Sequence, residues 1–132
     1  MIFDFSQVKT ICVFGLKNNP ARPAYYVSEY MQNHGFRIIP VNPEGESVLG
    51  ERGYRSISDI PPEIEIDLAD YFIRAEKVVP LVQEALDRGV KIHWLQQGIV
   101  NEEAARLVQE KGATIIMDKC IKVVHQNQKA RG

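Results

Sequence analysis

The sequence has 132 residues, of which 45% are hydrophobic and 25% charged, a length and balance typical of one globular domain rather than a disordered or fibrous chain. Its 16 basic and 17 acidic residues give a net charge of −1, whereas proteins that bind nucleic acid through its phosphates usually carry a basic surplus. No apolar run approaches the ~18 residues that span a bilayer, and the N-terminus has no secretory pattern. We therefore expect a single cytoplasmic domain over residues 1–132 that binds neither nucleic acid nor membranes.

Short apolar segments alternate along the chain with segments in which apolar residues recur at helical spacing. The apolar segments predict five strands, over residues 10–14, 36–41, 66–72, 90–95 and 114–117. The periodic segments predict three helices, over residues 23–34, 76–88 and 102–111. Pro23 suits the first turn of the first helix and Gly35 its end, while Asn101 is a favourable cap for the third.

Two parts of the chain are less regular. Residues 44–62 are broken by three glycines and the pair Pro61-Pro62, and we expect only a short helical turn around residues 56–60, capped by Ser56. The chain after residue 117 is expected to form a short tail, no more than a turn of helix.

Strands that alternate with helices form β-α-β units, whose right-handed crossovers produce a parallel sheet with helices on both faces. The predicted fold is therefore α/β, a doubly wound sheet of five parallel strands in the order 3-2-1-4-5. Ligands of such sheets bind beyond the carboxyl ends of the strands. The loops that follow the first four strands are therefore the candidates for a site.

The loop after the first strand is the most informative of these. It reads Gly15-Leu16-Lys17-Asn18-Asn19-Pro20-Ala21-Arg22-Pro23 and leads into a helix N-terminus, where free N–H groups and the helix dipole attract anions. Gly15 allows a close backbone turn, and Lys17 and Arg22 add positive charge. The loop is consistent with phosphate binding and equally with a polar turn, and it lacks both the G-x-G-x-x-G fingerprint and the Walker A motif.

The next three loops each contribute a polar side chain. Asn42 follows the second strand, where NAD sites commonly place an acid; a neutral amide can bind a ribose without repelling an attached phosphate, or Asn-Pro can simply end the strand. Phe72 and Arg74 follow the third strand, where a ring beside a cation suits a base or a phosphate but also suits core and surface. Gln96 follows the fourth.

The remaining reactive side chains form no recognisable centre. Cys12 and Cys120 lie far apart without a C-x-x-C motif, which disfavours a disulfide scaffold or zinc site and predicts two inert, reduced thiols. A nucleophilic pair of Cys120 with His125 is disfavoured because nearness in sequence does not establish geometry. Trp94 is expected in the core, and no carboxylate pair indicates acid–base catalysis.

Segments between residues 10 and 125 together carry a family resemblance. They are Val13-Phe14-Gly15-Leu16, residues 19–23, 35–43 and 48–51, Tyr54, Ser56, residues 59–61 and 67–72, Arg74, residues 94–96, 98–99, 101–105 and 117–122, and His125. In order and spacing they resemble the small bacterial and archaeal CoA-binding domain proteins, which are similar to the N-terminal domain of the succinyl-CoA synthetase α subunit. The resemblance implies a Rossmann-like domain that binds coenzyme A or an acyl-CoA.

The resemblance also implies which residues contact the cofactor. They are Gly15, Leu16, Lys17, Asn18, Arg22, Pro23, Asn42, Pro43, Tyr54, Phe72, Arg74 and Gln96. By that likeness the first loop meets the pyrophosphate, and the Asn-Pro pair after the second strand meets the ribose and its 3′-phosphate. The residues after the third strand line the adenine or pantetheine side, and the glutamine after the fourth faces the pantetheine arm.

Two positions depart from the pattern of many relatives: Lys17 stands in place of a serine and Glu44 in place of a lysine, which puts an acid near the expected 3′-phosphate.

The activity of the synthetase is not implied, since it uses a phosphohistidine in another domain and a second subunit. We therefore expect a non-catalytic CoA sensor or carrier. The alternatives are a redox switch in which Cys120 forms a mixed disulfide with CoA, a module for NAD or another adenine nucleotide, and a protein-interaction module.

Overall fold

A five-stranded parallel sheet with helices on both faces organises residues 2–131, the part of the chain that this computed structural model describes. The strands are β1 (Thr10–Phe14), β2 (Arg37–Val41), β3 (Leu68–Tyr71), β4 (Ile92–Leu95) and β5 (Thr114–Ile116). The α-helices are α1 (Pro23–Asn33), α2 (Val78–Asp87), α3 (Glu102–Glu110) and α4 (Ile121–Arg131). The predicted α/β doubly wound class is confirmed.

The strand order requires one correction to the predicted 3-2-1-4-5. The observed order is β2-β1-β3-β4-β5, so the third strand lies beside β1 on the side away from β2. The outer edge of β2 is taken instead by Tyr54, whose N–H donates to the Pro40 carbonyl at 3.0 Å and whose carbonyl accepts from Asn42 N–H at 3.0 Å. This one-residue parallel bridge occupies the position of the third strand in the predicted order, and the chain must then cross β1 before it forms β3.

Side chains alternate across the sheet and build two cores. Cys12 and Phe14 of β1 pack towards α2 and α3, whereas Ile11 and Val13 pack towards α1 and α4. Trp94 is fully buried in the second core, as predicted, and its indole N–H donates to the Lys119 carbonyl at 2.8 Å. The sheet is thus covered on both faces, and its strand ends are left to form the loops.

The irregular stretch before β3 is held by the guanidinium of Arg88. It donates to four carbonyl oxygens at 2.8–3.1 Å, those of Ile57, Ile60, Pro61 and Ile64. The expected short turn is present as a 3₁₀ helix over Ile57–Asp59, with Ser56 at its cap position but without a capping bond from the Ser56 side chain. Asn101 does cap α3 as predicted, because its Oδ1 accepts from Ala104 N–H at 2.9 Å.

The C-terminal helix α4 is longer than the predicted turn, with 11 residues. Its only buried residue in the described chain is Ile121, so its apolar periodicity is too weak to reveal a helix. Polar contacts fix it instead. Tyr30 Oη lies 2.7 Å from His125 Nδ1, and the Gln128 side-chain amide exchanges two hydrogen bonds with the Phe3 backbone.

The interior also holds a neutral histidine. His93 Nε2 donates to the Val90 carbonyl at 2.9 Å, which leaves Nδ1 to accept from Tyr71 Oη at 2.9 Å. Burial lowers the pKa of His93 to about 4, because desolvation disfavours the charged ring. His93 therefore serves the core and lies on the face opposite Trp94.

Candidate ligand-binding cleft

A cleft of about 1020 Å³ opens at the carboxyl ends of the strands. Residues that follow four of the strands line it, namely Gly15 after β1, Pro43 after β2, Phe72 after β3 and Gln96 after β4. Strands β2 and β3 lie on opposite sides of β1, so the cleft sits where the winding of the sheet reverses, the usual ligand position in doubly wound folds. Its volume is at the upper end of the ~300–1,000 Å³ typical of small-molecule sites.

Eight of the predicted cofactor-binding residues meet in this cleft. They are Gly15, Lys17, Arg22, Pro23, Pro43, Phe72, Arg74 and Gln96. The other four predicted residues, Leu16, Asn18, Asn42 and Tyr54, do not line it. Leu16 is fully buried in the core beneath α1, and Asn18 is exposed, with its N–H donating to Glu46 Oε1 at 2.6 Å.

The side chain of Asn42 does not line the cleft but connects two of the loops that form it. Its Nδ2 donates to the carbonyls of Leu16 and Glu46, both at 2.9 Å, and its Oδ1 accepts from Glu46 N–H at 2.7 Å. The side chain thereby ties the loop after β1 to the loop after β2. In this structure the Asn42 amide is engaged by these three backbone groups. Tyr54 forms the bridge beside β2 with its backbone.

Gly15 is the point at which the loops after β1 and β3 touch. Its φ is +88°, and its N–H donates to the Val41 carbonyl at 2.9 Å. A Cβ at this position would overlap the Phe72 carbonyl oxygen. Only glycine combines this backbone conformation with such a close approach. This accounts for the glycine directly after β1.

Within the described chain, two backbone N–H groups between β1 and the first turn of α1 lack a protein acceptor. No acceptor among residues 2–131 takes the N–H of Lys17 or Ala24, and both residues line the cleft. Helix α1 begins at Pro23 without an acidic residue in its first turn and without a side-chain cap from Arg22. The positive end of the helix dipole is therefore uncompensated, a favourable place for an anion.

The charge of the cleft is entirely positive. Lys17, Arg22, Arg74 and Lys77 line it, and no carboxylate is among its lining residues. Lys17 lies 3.4 Å from Glu44, an exposed pair at the β2 side, whereas within residues 2–131 the other three cations form no ion pair. The chain as a whole is nearly neutral, so this positive field is local and points to an anionic ligand.

The structure adds lining residues beyond the predicted cofactor-binding set. They are Asn19, Ala24, Tyr26, Val27, Ile73, Lys77, Gln97, Ile99 and Cys120. Tyr26 and Val27 follow from helical spacing after Pro23, and Lys77 could have been found as the next cation after Arg74. Cys120 comes from the far end of the chain and was expected beside the ligand only in the redox-switch alternative. Half-buried in the cleft wall, it differs from Cys12, which is fully buried and whose thiol pKa is raised by that burial.

Gln96 connects the cleft to a buried carboxyl group. It is 4% exposed, its Nε2 donates to Asp70 Oδ1, and its Oε1 accepts from Ile121 N–H at 3.3 Å. Asp70 lies in β3 and is 2% exposed. Desolvation raises the pKa of Asp70 to about 8.

No helix within residues 2–131 has the length and apolar character to cross a membrane. The same residues contain no group of three or more side chains that could hold a metal ion.

Comparisons with known proteins show what the chain is similar to. A family model described as a CoA binding domain matches residues 9–126. The chain is 43% identical over 117 residues to the Bacillus subtilis protein YneT, covering 89% of this chain and 85% of that protein. It is similar in structure to a Thermus thermophilus protein, with a TM-score of 0.88 and 34% identity over 93% of this chain and 92% of the other.

Larger proteins contain a related segment. The chain is 30% identical over 112 residues to the ADP-forming acetate–CoA ligase II of Archaeoglobus fulgidus, covering 83% of this chain but only 16% of the ligase. The likeness therefore concerns one segment of that enzyme. The family model spans most of the present sequence and confirms the resemblance inferred from the residues. The chain therefore belongs to the CoA-binding domain family.

Proposed function

We propose that the cleft binds coenzyme A, with the diphosphate at the start of α1. The observation that carries this proposal is the convergence of four cations and two free backbone N–H groups at the carboxyl ends of the strands, without a carboxylate in the lining. A diphosphate requires such a combination of amide donors, helix dipole and positive side chains. Family membership supplies the expectation that the anion is CoA.

The proposed orientation follows the two sides of the cleft. The N–H groups of Lys17 and Ala24 and the guanidinium of Arg22 bind the diphosphate. The nucleotide lies towards Pro43, and the pantetheine arm runs past Gln96 towards Cys120.

The role we propose is that of a CoA or acyl-CoA sensor or carrier, without catalysis by this chain. The related ligase is about six times longer than the segment that matches this chain, as the 16% coverage implies. A segment that binds the cofactor is suited to report on it or to hold it.

Replacing Arg22 with alanine is expected to weaken CoA binding by about 1.5–3 kcal/mol, roughly 10- to 150-fold, the contribution of a charge-assisted hydrogen bond. Isothermal titration calorimetry at one fixed salt concentration measures the change. Arg106→Ala is the matched control, since Arg106 lies on α3 and pairs only with Glu110 among the described residues. Equal affinities of the two variants would place the phosphates elsewhere.

The same titration separates CoA from other nucleotides. Dephospho-CoA and NAD share the adenosine diphosphate but lack the 3′-phosphate. Equal affinity for CoA and dephospho-CoA would favour the general adenine-nucleotide module, whose acid near the ribose would be Glu44 beside Lys17.

A second candidate function is favoured by the position of Cys120 in the cleft wall. In this function the Cys120 thiolate attacks CoA disulfide, the Cys120–CoA disulfide forms, and one CoA leaves as its thiolate. The oxidant is the CoA disulfide itself, so electrons balance. The protein then acts as a thiol switch.

Incubation with CoA disulfide is expected to add one CoA to Cys120 and none to Cys12, because only the former reaches the cleft. Intact-protein and peptide mass spectrometry locate the adduct, and dithiothreitol should remove it. Cys120→Ser is the control that abolishes the adduct. An unmodified Cys120 at a saturating concentration of CoA disulfide would contradict the switch and leave the carrier function in place.

A further inference from the structure

The centre of the sheet contains an acid without a positively charged partner. Asp70 pairs in register with Val13 of β1 and Trp94 of β4, and its side chain is almost fully buried. The residues 2–131 provide no ion pair for it. Burial of an unpaired carboxyl is unfavourable, so its presence at this position calls for a role.

The groups around Asp70 supply no compensating charge. The titratable groups that interact with it are the neutral Cys12 of β1 and Tyr71, its neighbour in β3. Helices α1 and α4 cover this face with apolar residues such as Met31 and Ile121. The charged and titratable side chains at the start of α4 lie elsewhere: Lys122 over the rings of Tyr26 and Tyr30, His125 at Tyr30, and Cys120 in the cleft.

The hydrogen bonds of Gln96 reveal what the carboxyl group does. Ile121 N–H belongs to the first residue of α4 and can only donate, so the oxygen of the Gln96 amide must face it. The Gln96 nitrogen then faces Asp70, which must accept. Because an unoccupied acceptor site would leave the Gln96 N–H₂ buried without a partner, Asp70 fixes the orientation of the whole amide.

We propose that Asp70 is a positioning residue for the cleft: through Gln96 it holds the first turn of α4, and with it Cys120, against the ligand. Asp70 does not line the cleft, yet ligand affinity depends on it. This inference rests on the proposed function for its choice of CoA as probe, but the positioning itself is measurable without ligand.

The decisive comparison is between Asp70→Asn, which keeps an acceptor oxygen for Gln96, and Asp70→Leu, which removes it at similar size. Hydrogen exchange of the free protein is expected to show an Ile121 amide that exchanges about five- to tenfold faster in Asp70→Leu, and about as in the parent in Asp70→Asn. CoA affinity is expected to fall by about five- to tenfold in Asp70→Leu and to stay within about twofold in Asp70→Asn. Asp70→Ala, which adds no bulk, replaces Asp70→Leu if the latter does not fold.

Two controls separate positioning from loss of stability. Ile38→Val destabilises the same core and should leave CoA affinity unchanged. In a Gln96→Ala background, Asp70→Leu should lower affinity no further, because the pair acts as one unit. Equal affinity losses in Ile38→Val and Asp70→Leu, or unchanged Ile121 exchange in Asp70→Leu, would overturn the inference. If the parent protein does not bind CoA but the exchange results hold, the proposed ligand is wrong and the positioning role stands.

Discussion

Gly15→Ala is expected to lower the free energy of unfolding by about 2–5 kcal/mol, the sum of a left-handed alanine and of overpacking against a fixed neighbour. The neighbour is the Phe72 carbonyl, which belongs to the backbone and cannot move aside without separating the loops after β1 and β3. Those loops carry Lys17 and Arg74 into the cleft. CoA binding should therefore weaken by more than about tenfold in the molecules that still fold.

A second glycine provides the matched control for Gly15. Gly35 has a φ of +93° but no atom within 4 Å of a built Cβ. Gly35→Ala should therefore lower the free energy of unfolding only by the cost of a left-handed alanine backbone, about 1–2 kcal/mol. Urea denaturation of both variants measures the difference, and equal losses would show that the contact with Phe72 is not restrictive.

The largest pH effect is expected from Asp70. Its folded-state pKa of about 8 lies far above the ordinary value of 3.8, so between these pH values the folded protein holds a proton that the unfolded chain has released. Stability is therefore lost as pH rises through this window, by about 1.4 kcal/mol per pH unit and roughly 4–5 kcal/mol by pH 8. Asp70→Asn should be more stable than the parent at pH 8 because it has no proton to lose.

His93 determines the pH range in which this effect is visible. Its folded-state pKa of about 4 lies below the ordinary 6.5, so its contribution to stability is lost as pH falls from 6.5 towards 4. His125, whose pKa is also lowered by burial, acts in the same direction as His93. Both oppose the slope of Asp70 below about pH 6.5, and above that pH the slope of Asp70 dominates.

Urea midpoints at pH 6.5 and pH 8 provide the measurement. The parent should lose about 2 kcal/mol relative to Asp70→Asn across this interval. Parallel pH profiles of the two proteins would mean that Asp70 is already ionised in the folded state.

The elements that sequence predicts well here are those whose signal is local. The run 10–14 and the spacing of apolar residues after Pro23 identify β1 and α1 without knowledge of their neighbours. Parallel strands place their carboxyl ends at one edge, so the convergence of Gly15, Phe72 and Gln96 was predictable once the strands were identified.

The features that sequence did not predict depend on contacts distant along the chain. The side of β1 on which β3 lies is linked to the bridge at Tyr54, a single residue with no periodicity. Helix α4 is fixed by polar contacts to Phe3 and Tyr30, which leave no apolar pattern. The hydrogen bonds of the Asn42 side chain inside the loops likewise required the tertiary structure.

The bridge beside β2 also bears on how the molecule behaves at high concentration. An outer strand with unpaired N–H and C=O groups is a template for strand addition from another chain, and therefore for aggregation. Here Pro40 has no N–H that could donate to an added strand. The Pro40 carbonyl already accepts from Tyr54 N–H, and Asn42 N–H already donates to the Tyr54 carbonyl. The opposite margin, β5, is only three residues long. Both borders of the sheet are thus poor nuclei for intermolecular β-structure, which favours dispersed molecules whose cleft stays accessible to its ligand.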